Sequence, residues 1–299
     1  MHTVFDVKHD GRHRARVVAN GNLTEVPLES VYSGVVSLRG LRACIFIGEL
    51  NDMPAWGTDI SSAYLLAKTS EKVCIIAGPE FGDKAGELLI VDKDLYGLRT
   101  SCKMWAQLLC DILYDMGFEK SFADPSIFMR KCKTRDVYEY VAVYVDDLCF
   151  VVAEPEQFLE DLKNNPIKKV ELKGSEEVKF HLGCGFSRDS TNTLCMDATK
   201  YVEKMEENYN RLFPNAPLQK KKYRQPFEPN DRPELDTSRF CTEDDIEIYQ
   251  SLIGSLQWAV SIGRFDVQTA VMTMSSFREH PRIGHLQRLQ QMVSYLSQF

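Results

Sequence analysis

The sequence predicts an α+β protein whose mixed strand-and-helix portion precedes a helical C-terminal portion. Three observations lead there. Runs rich in valine and aromatics, such as RARVV (14–18) and YEYVAVYVDDLCFVVA (138–153), read as strands. One long segment between them, SCKMWAQLLCDILYDMGF (101–118), carries apolar residues at helical spacing. After about residue 195 three helical stripes follow one another and strand-like runs cease.

Taken in order, RARVV is a short strand. SLRGLRACIFIGELN (37–51) is a helix on the spacing of Leu38, Leu41, Ile45 and Leu50. KVCIIA (72–77) and ELLIV (87–91) are two strands joined by the Gly/Pro-containing loop GPEFGDKAG. In the 101–118 helix, Trp105, Leu108, Leu109, Ile112, Leu113 and Met116 line one face, and Gly117 is the stop signal. VKFHLGCGF (178–186) is a further strand ending in glycine turns. The helical stripes hold Tyr249, Leu252, Ile253, Leu256 and Val260; Val267, Ala270, Val271, Met274 and Phe277; and Leu286, Leu289, Met292, Val293 and Leu296. The proline-containing stretch from 213 to 233 reads as an irregular connector.

Composition narrows the class. The chain has 299 residues, 44% of them hydrophobic and 26% charged, which is ordinary globular composition. No apolar run approaches the length of a membrane helix, and MHTVFDVKHDGRHRARVVANG lacks the apolar region of a signal peptide. An intracellular location, without secretion or membrane insertion, is therefore expected. Nine cysteines occur with no C-x-x-C pair, so they read as small buried hydrophobes and not as a zinc site. The net charge of −7 argues mildly against a large nucleic-acid footprint. Local basic clusters nevertheless stand at Lys8, Arg12, Arg14 and Arg16, at Lys168, Lys169 and Lys173, and at Lys220, Lys221, Lys222 and Arg224. Each alone reads as a solvated loop.

Within AVYVDDLCFVVA (142–153), Asp146 and Asp147 interrupt an otherwise apolar run. One continuous buried strand would bury one unpaired carboxylate on each face, which is costly. A hairpin with Asp146-Asp147 at its turn avoids this. Asp tolerates turns, yet tight hairpins favour Asn-Gly or Asp-Gly, and adjacent carboxylates repel without a cation. A plain turn and a divalent-metal site both remain open on the pair alone. WGTDISSAYLLA (56–67) supplies a third carboxylate, Asp59, with Tyr64 five residues on.

Asp59–Tyr64 as D-x-x-x-A-[FY], followed by Tyr144-Val145-Asp146-Asp147 as Y-x-D-D, resembles the catalytic core of a reverse transcriptase. LYGLRTSCKMW (95–105), YQSLIGSLQWAVSIGRFD (249–266), ARVVANG (15–21) and HLGCGF (181–186) resemble, in the family's order, segments of copia-type LTR-retrotransposon polymerases. The family's glutamine, proline and second proline in these blocks are Thr100, Cys102 and Phe265 here. The resemblance begins inside the fingers and ends at YLSQF (295–299), so a polyprotein fragment or a decayed copy is expected.

The resemblance implies a right-hand polymerase: fingers over 1–55, joined by the 68–94 hairpin, a ferredoxin-like palm over 56–190 and a helical thumb or connection over 191–299. It implies an RNA-directed DNA polymerase joining dNTPs to a primer 3′-OH on an RNA or DNA template. Asp59, Asp146 and Asp147 would be catalytic and would hold two Mg²⁺ ions, with Mn²⁺ as substitute. The resemblance assigns nucleotide binding to Lys8, Arg16, Tyr64, Tyr96, Gly97 and Arg99, and Arg14 is a weaker candidate beside them. Primer or template would meet Tyr144, Leu182 and Gly183, and Lys173 is a candidate general acid. Trp105 and the apolar stripe after it read as core. The implied location is a cytoplasmic retrotransposon particle or the nucleus. A non-catalytic remnant that binds nucleic acid and a metal-stabilised interaction module are the alternatives.

Overall fold

The computed structural model describes residues 1–7, 13–27, 30–214, 218 and 223–299. Lys8, Arg12 and Lys220–Lys222 lie outside the described residues. The chain divides into two compact units, Met1–Val178 and Lys179–Phe299.

The first unit opens with a hairpin of β1 (His2–Val7) and β2 (His13–Val18). Helix α1 (Leu38–Leu50) follows, its N-terminus capped by Ser37, whose hydroxyl accepts from the Gly40 amide at 3.0 Å. Strand β3 (Ala55–Ile60) leads to a second hairpin, β4 (Cys74–Ile76) and β5 (Leu88–Ile90). Helix α2 (Ser101–Asp115) closes as its stop signal implies. Gly117 adopts φ 82°, and the Phe118 amide reaches back to the Leu113 carbonyl at 2.9 Å. Then come β6 (Glu119–Lys120), β7 (Ile127–Lys131), β8 (Tyr138–Tyr144), β9 (Asp147–Val151), α3 (Pro155–Lys163) and β10 (Leu172–Glu177).

Six of these strands form one antiparallel sheet in the order β10-β3-β9-β8-β7-β6. Side-chain alternation sorts its residues between two covered faces. Val141, Val143, Leu148, Phe150 and Val152 form one apolar cluster with Trp105, Leu109, Ile112 and Leu113 of α2 and Phe158 and Leu162 of α3. On the other face α1 lies so close that a Cβ on Gly48 would stand 2.5 Å from the Val151 side chain. Coverage on both faces explains why YVAVYV and LCFVV read as unbroken apolar runs.

The second unit holds a three-stranded sheet of β11 (Phe180–His181), β12 (Cys184–Arg188) and β13 (Leu194–Asp197), then α4 (Thr199–Leu212), α5 (Glu243–Ser261), α6 (Gln268–Ser275) and α7 (Ile283–Leu296). A reciprocal capping box between Thr242 and Asp245 starts α5. The three expected stripes pack together, and Tyr249 in their midst donates to the Met274 carbonyl at 2.7 Å.

Three expectations need correction. VKFHLGCGF is not one strand. It is a hairpin whose turn residues Leu182 and Gly183 both have positive φ, 49° and 86°, the signature of a type I′ turn. The segment after residue 195 begins with an additional helix, α4. Its apolar face is thin, only Val202, Met205 and Tyr209 being buried, among many charges. Finally, Asp146-Asp147 are not the two turn residues of the β8–β9 hairpin. Tyr144 pairs with Asp147, so the turn is Val145-Asp146 and Asp147 begins β9.

Candidate active site

Cross-strand register brings the carboxylates together. Asp59 lies directly opposite Asp147 across β3 and β9, and Asp147 directly opposite Tyr144 across β9 and β8. On its other side Asp59 faces Lys173 of β10. Directly opposed residues share a sheet face, with Cβ atoms about 4.5–5.5 Å apart. Lys173, Asp59, Asp147 and Tyr144 thus form one row across four strands, on the face away from α2 and α3. Asp146 stands beside the row on the turn.

That turn is strained. Val145 has φ 60°, whereas Asp146 is not among the positive-φ residues. Positive φ at the first position alone is the type II′ pattern, which normally carries glycine there. A β-branched residue in this region is a true outlier and costs about 1–3 kcal/mol. Both turn carbonyls are bonded from outside the hairpin. The Trp105 indole Nε1–H donates to the Val145 oxygen at 2.8 Å, and the Ile60 amide donates to the Asp146 oxygen at 2.9 Å.

An open cleft of about 460 Å³ lies over the turn, lined by Val4, Arg16, Val18, Tyr64, Tyr96, Tyr144, Val145, Asp146 and Asp147. Burial pushes the Asp147 carboxyl up to about 6, and the Asp146 and Asp59 charges push the same way. Asp146 is also raised, chiefly by burial with Asp59 adding to it. Its own backbone hydrogen bond and the nearby Arg14 and Arg16 guanidinium groups oppose the rise. The two carboxylates are therefore partly desolvated, and the charge of each opposes ionisation of its neighbours. Hard oxygen donors in such a place fit Mg²⁺ or Mn²⁺. Among the described residues, however, no three His, Cys, Asp or Glu side chains are disposed as a ready metal cage.

The cleft wall is aromatic and basic. Tyr64 and Tyr96 meet edge to face with centroids 5.0 Å apart, and the Tyr64 hydroxyl lies 3.2 Å from Cys102 Sγ. Burial first, then Cys102, pushes the Tyr64 hydroxyl up. The Arg16 guanidinium sits 5.6 Å over the Tyr96 ring, 3.8 Å from Asp6, and its Nε is buried without a hydrogen-bond partner among the described residues. Arg14 reaches the Tyr96 hydroxyl at 3.5 Å.

Gly97 and Arg99 are not at the cleft. Gly97 has φ 89°, and a Cβ there would stand 2.2 Å from the Ala19 carbonyl oxygen. Arg99 donates to the Gly21 carbonyl at 2.7 Å and the Asn22 carbonyl at 3.4 Å, tying the YGLR segment to the residues after β2. Leu182 and Gly183 belong to the second unit. There Gly183 packs so tightly that a Cβ would come within 3.1 Å of Trp258 Nε1. Lys8 lies outside the described residues. Trp105 was legible only as core. Its contact with the turn becomes visible only once the helix is seated on the sheet, although a buried indole N–H usually finds a partner.

Residues 1–216 match the model of the family described as reverse transcriptase (RNA-dependent DNA polymerase). The chain is 24% identical, over 98% of its length, to a retrovirus-related Pol polyprotein from transposon TNT 1-94 of Nicotiana tabacum, covering 22% of that protein. It is 27% identical, over 96% of its length, to the retrovirus-related Pol polyprotein from transposon RE1 of Arabidopsis thaliana, covering 19% of it. It is also 25% identical, over 98% of its length, to the transposon Ty1-DR1 Gag-Pol polyprotein of Saccharomyces cerevisiae, covering 17% of it. The chain thus spans about a fifth of the length of these curated relatives. No helix of the described residues is long and apolar enough to cross a membrane. Matched over most of its length by the family's model, with carboxylates of both motifs side by side on one sheet, the chain belongs to the copia-type reverse transcriptases.

Proposed function

We propose that the chain is the RNA-directed DNA polymerase region of a copia-type retrotransposon, adding dNTPs to a primer 3′-OH by two-metal nucleotidyl transfer. The observation that carries this reading is the register of Asp59 against Asp147, where Asp147 and the neighbouring Val145-Asp146 turn line a cleft walled by Arg16, Tyr64 and Tyr96. The strands β3, β8, β9 and β10, with α2 and α3 on the connections, follow a β-α-β-β-α-β path. That path supports a ferredoxin-like palm over 56–190. Fingers over 1–55 with the β4–β5 hairpin, and a thumb over 191–299, complete the proposal.

In this reading Asp59, Asp146 and Asp147 hold the metal ions. When bound, these ions neutralise charge on the triphosphate and make the primer hydroxyl more acidic. The remaining work belongs to the chain's own side chains, which position and supply charge. Arg16, with Arg14 behind it, draws the triphosphate toward the cleft. Tyr64 and Tyr96 shape the space for the sugar and base. Tyr144, opposite Asp147, faces the primer terminus. Lys173, opposite Asp59, holds a proton for the leaving pyrophosphate. RNA or DNA template with primer is the partner, in a cytoplasmic particle or the nucleus.

The test is primer extension on poly-rA with oligo-dT and Mg²⁺. Extension by wild type, lost in Asp59→Asn and in Asp146→Asn with folding intact, is expected. A second reading, a non-catalytic remnant that binds nucleic acid, is favoured by the acidic net charge of −7. Salt-sensitive template–primer binding without extension in Mg²⁺ or Mn²⁺ would establish the remnant and end the polymerase reading.

A further inference from the structure

We infer that Trp105 is a positioning residue for the Asp146 turn, acting through the single hydrogen bond from its indole to the Val145 carbonyl. The inference rests on the polymerase reading for its kinetic consequence but not for its structural one.

The argument starts from the peptide between Val145 and Asp146. Types I′ and II′ hairpin turns share a positive φ at the first central residue and differ by a flip of the central peptide. In type I′ the second residue also takes positive φ. Here Val145 has φ 60° and Asp146 does not share the positive sign, so the turn is held in the type II′ form. Nothing in the local sequence selects that form. Type II′ calls for glycine at the first position, and Asp is among the residues that tolerate the positive φ of the alternative. The selection must come from outside the hairpin.

Trp105 supplies it. The ring is essentially fully buried, at 1% exposure, in the cluster under the sheet. Its Nε1–H is its one polar group, and burying it unpaired would forfeit its hydration with nothing in return. Its partner is the Val145 oxygen at 2.8 Å, the atom that reverses direction when the peptide flips. Flipping would therefore orphan the indole N–H and remove an acceptor from the core. The Ile60 amide, bonded to the Asp146 oxygen at 2.9 Å, fixes the next carbonyl from β3. Between them, α2 and β3 hold the backbone on both sides of the Asp146 Cα, and this aims its carboxylate.

The decisive variant is Trp105→Phe, which keeps an aromatic ring in the cluster and removes the N–H. We expect kcat for primer extension to fall roughly tenfold or more, as small misplacements of catalytic groups do. The Mg²⁺ midpoint should rise, with little change in the KM for template–primer. Val145→Gly is the rescue. Glycine suits the first position of a type II′ turn, so adding it to Trp105→Phe should restore most of the lost kcat and metal midpoint. A packing role for the ring predicts the opposite: a lower melting temperature, an unmoved metal midpoint, and no rescue by glycine.

One readout is independent of activity. The wild-type Trp105 indole proton should be strongly protected from hydrogen exchange, and Asp59→Asn should leave that protection in place. An indole that exchanges like an exposed tryptophan, or a Trp105→Phe enzyme with wild-type kcat and metal midpoint, overturns the inference. If the wild type extends no primer, the polymerase reading fails. The indole exchange and Mn²⁺ binding by Trp105→Phe, with and without Val145→Gly, then decide the positioning role alone.

Discussion

Gly97 lies at the point where the YGLR segment crosses the residues after β2, and replacing it with alanine separates two costs that usually arrive together. The first is conformational. Gly97 has φ 89°, and an L-residue forced into the left-handed region costs about 1–2 kcal/mol. The second is steric. The new Cβ would lie 2.2 Å from the Ala19 carbonyl oxygen and 2.7 Å from Val18 Cγ1. The Ala19 oxygen is backbone, and the neighbouring Ala19 amide is bonded to the Tyr96 carbonyl at 2.7 Å, so neither segment can give way alone. The contact is reciprocal, since a Cβ on Gly21 would stand 2.1 Å from the Gly97 carbonyl oxygen. Overpacking of this kind costs about 1–3 kcal/mol more. The sum, about 2–5 kcal/mol, should lower the melting temperature of a unit this size by roughly 4–20 °C. Gly86→Ala is the matched control. Gly86 also has φ 89°, but nothing lies within 4 Å of its would-be Cβ, so it should show the conformational cost alone. Tyr96 precedes Gly97 and touches both Tyr64 and Arg16, so Gly97→Ala should also raise the dNTP KM while Gly86→Ala leaves it unchanged. Thermal unfolding followed by circular dichroism, with steady-state KM for the two variants, makes the comparison. Equal destabilisation of the two would refute the interlock.

Two further outcomes follow from neighbouring residues. Tyr64→Val should keep much of the dNTP incorporation but admit rNTPs far more readily if, as proposed, the ring bounds the space for the sugar. An unchanged dNTP/rNTP ratio with a large loss of melting temperature would make Tyr64 a packing residue only. Asp94 is fully buried, and desolvation raises its carboxyl from 3.8 to about 6, so the folded state keeps a proton there that the unfolded chain has already released. Its stabilising proton is in place below about pH 4 and is lost as the pH rises through 6, costing on the order of 3 kcal/mol. Asp94→Asn should flatten that slope and raise the urea midpoint at pH 8 relative to wild type. A midpoint that falls at pH 8 would mean that the charged carboxylate is the stabilising form.

The parts of the fold that were legible are those where one physical signal dominates. Helix α2 has an apolar stripe and a glycine stop, and both act locally. Asp59 and the Asp146-Asp147 pair were singled out only by the resemblance of their two motifs to a polymerase core, since the pair alone left a plain turn and a metal site both open; ladder register is what sets Asp59 opposite Asp147. The turn was read one residue late because polarity suggested Asp-Asp, whereas the position of the turn is decided by ladder register and by the Trp105 bond to Val145. Helix α4 was missed because its buried face is three residues wide among charged ones. The strand break at Leu182-Gly183 was missed because leucine gives no sign that it will take positive φ. Arg99 was read as a cleft residue from its place in the motif. No sequence signal shows that its guanidinium is spent on the Gly21 and Asn22 carbonyls.

The one-residue difference at the turn changes how the carboxylates can act. If Asp146 and Asp147 were the two loop residues, neither would be tied to a sheet face. Both could swing outward to relieve their repulsion. As the first residue of β9, Asp147 instead inherits the alternation of that strand, in which Leu148 and Phe150 enter the cluster under α2 and α3. Turning Asp147 away from Asp59 would require a register slip that also lifts Leu148 and Phe150 out of the core. Burial of two such side chains is worth several kcal/mol, on the order of 1.5–3 each. Asp146 has no such tether from alternation, and its position depends on the two carbonyl bonds of the turn. The site thus uses two different means to hold two adjacent like charges. Hydrophobic register fixes one, and a strained turn clamped from α2 and β3 fixes the other. Mutations in the apolar cluster should therefore disturb Asp147 only when the sheet itself unfolds, whereas loss of one indole N–H is enough to release Asp146.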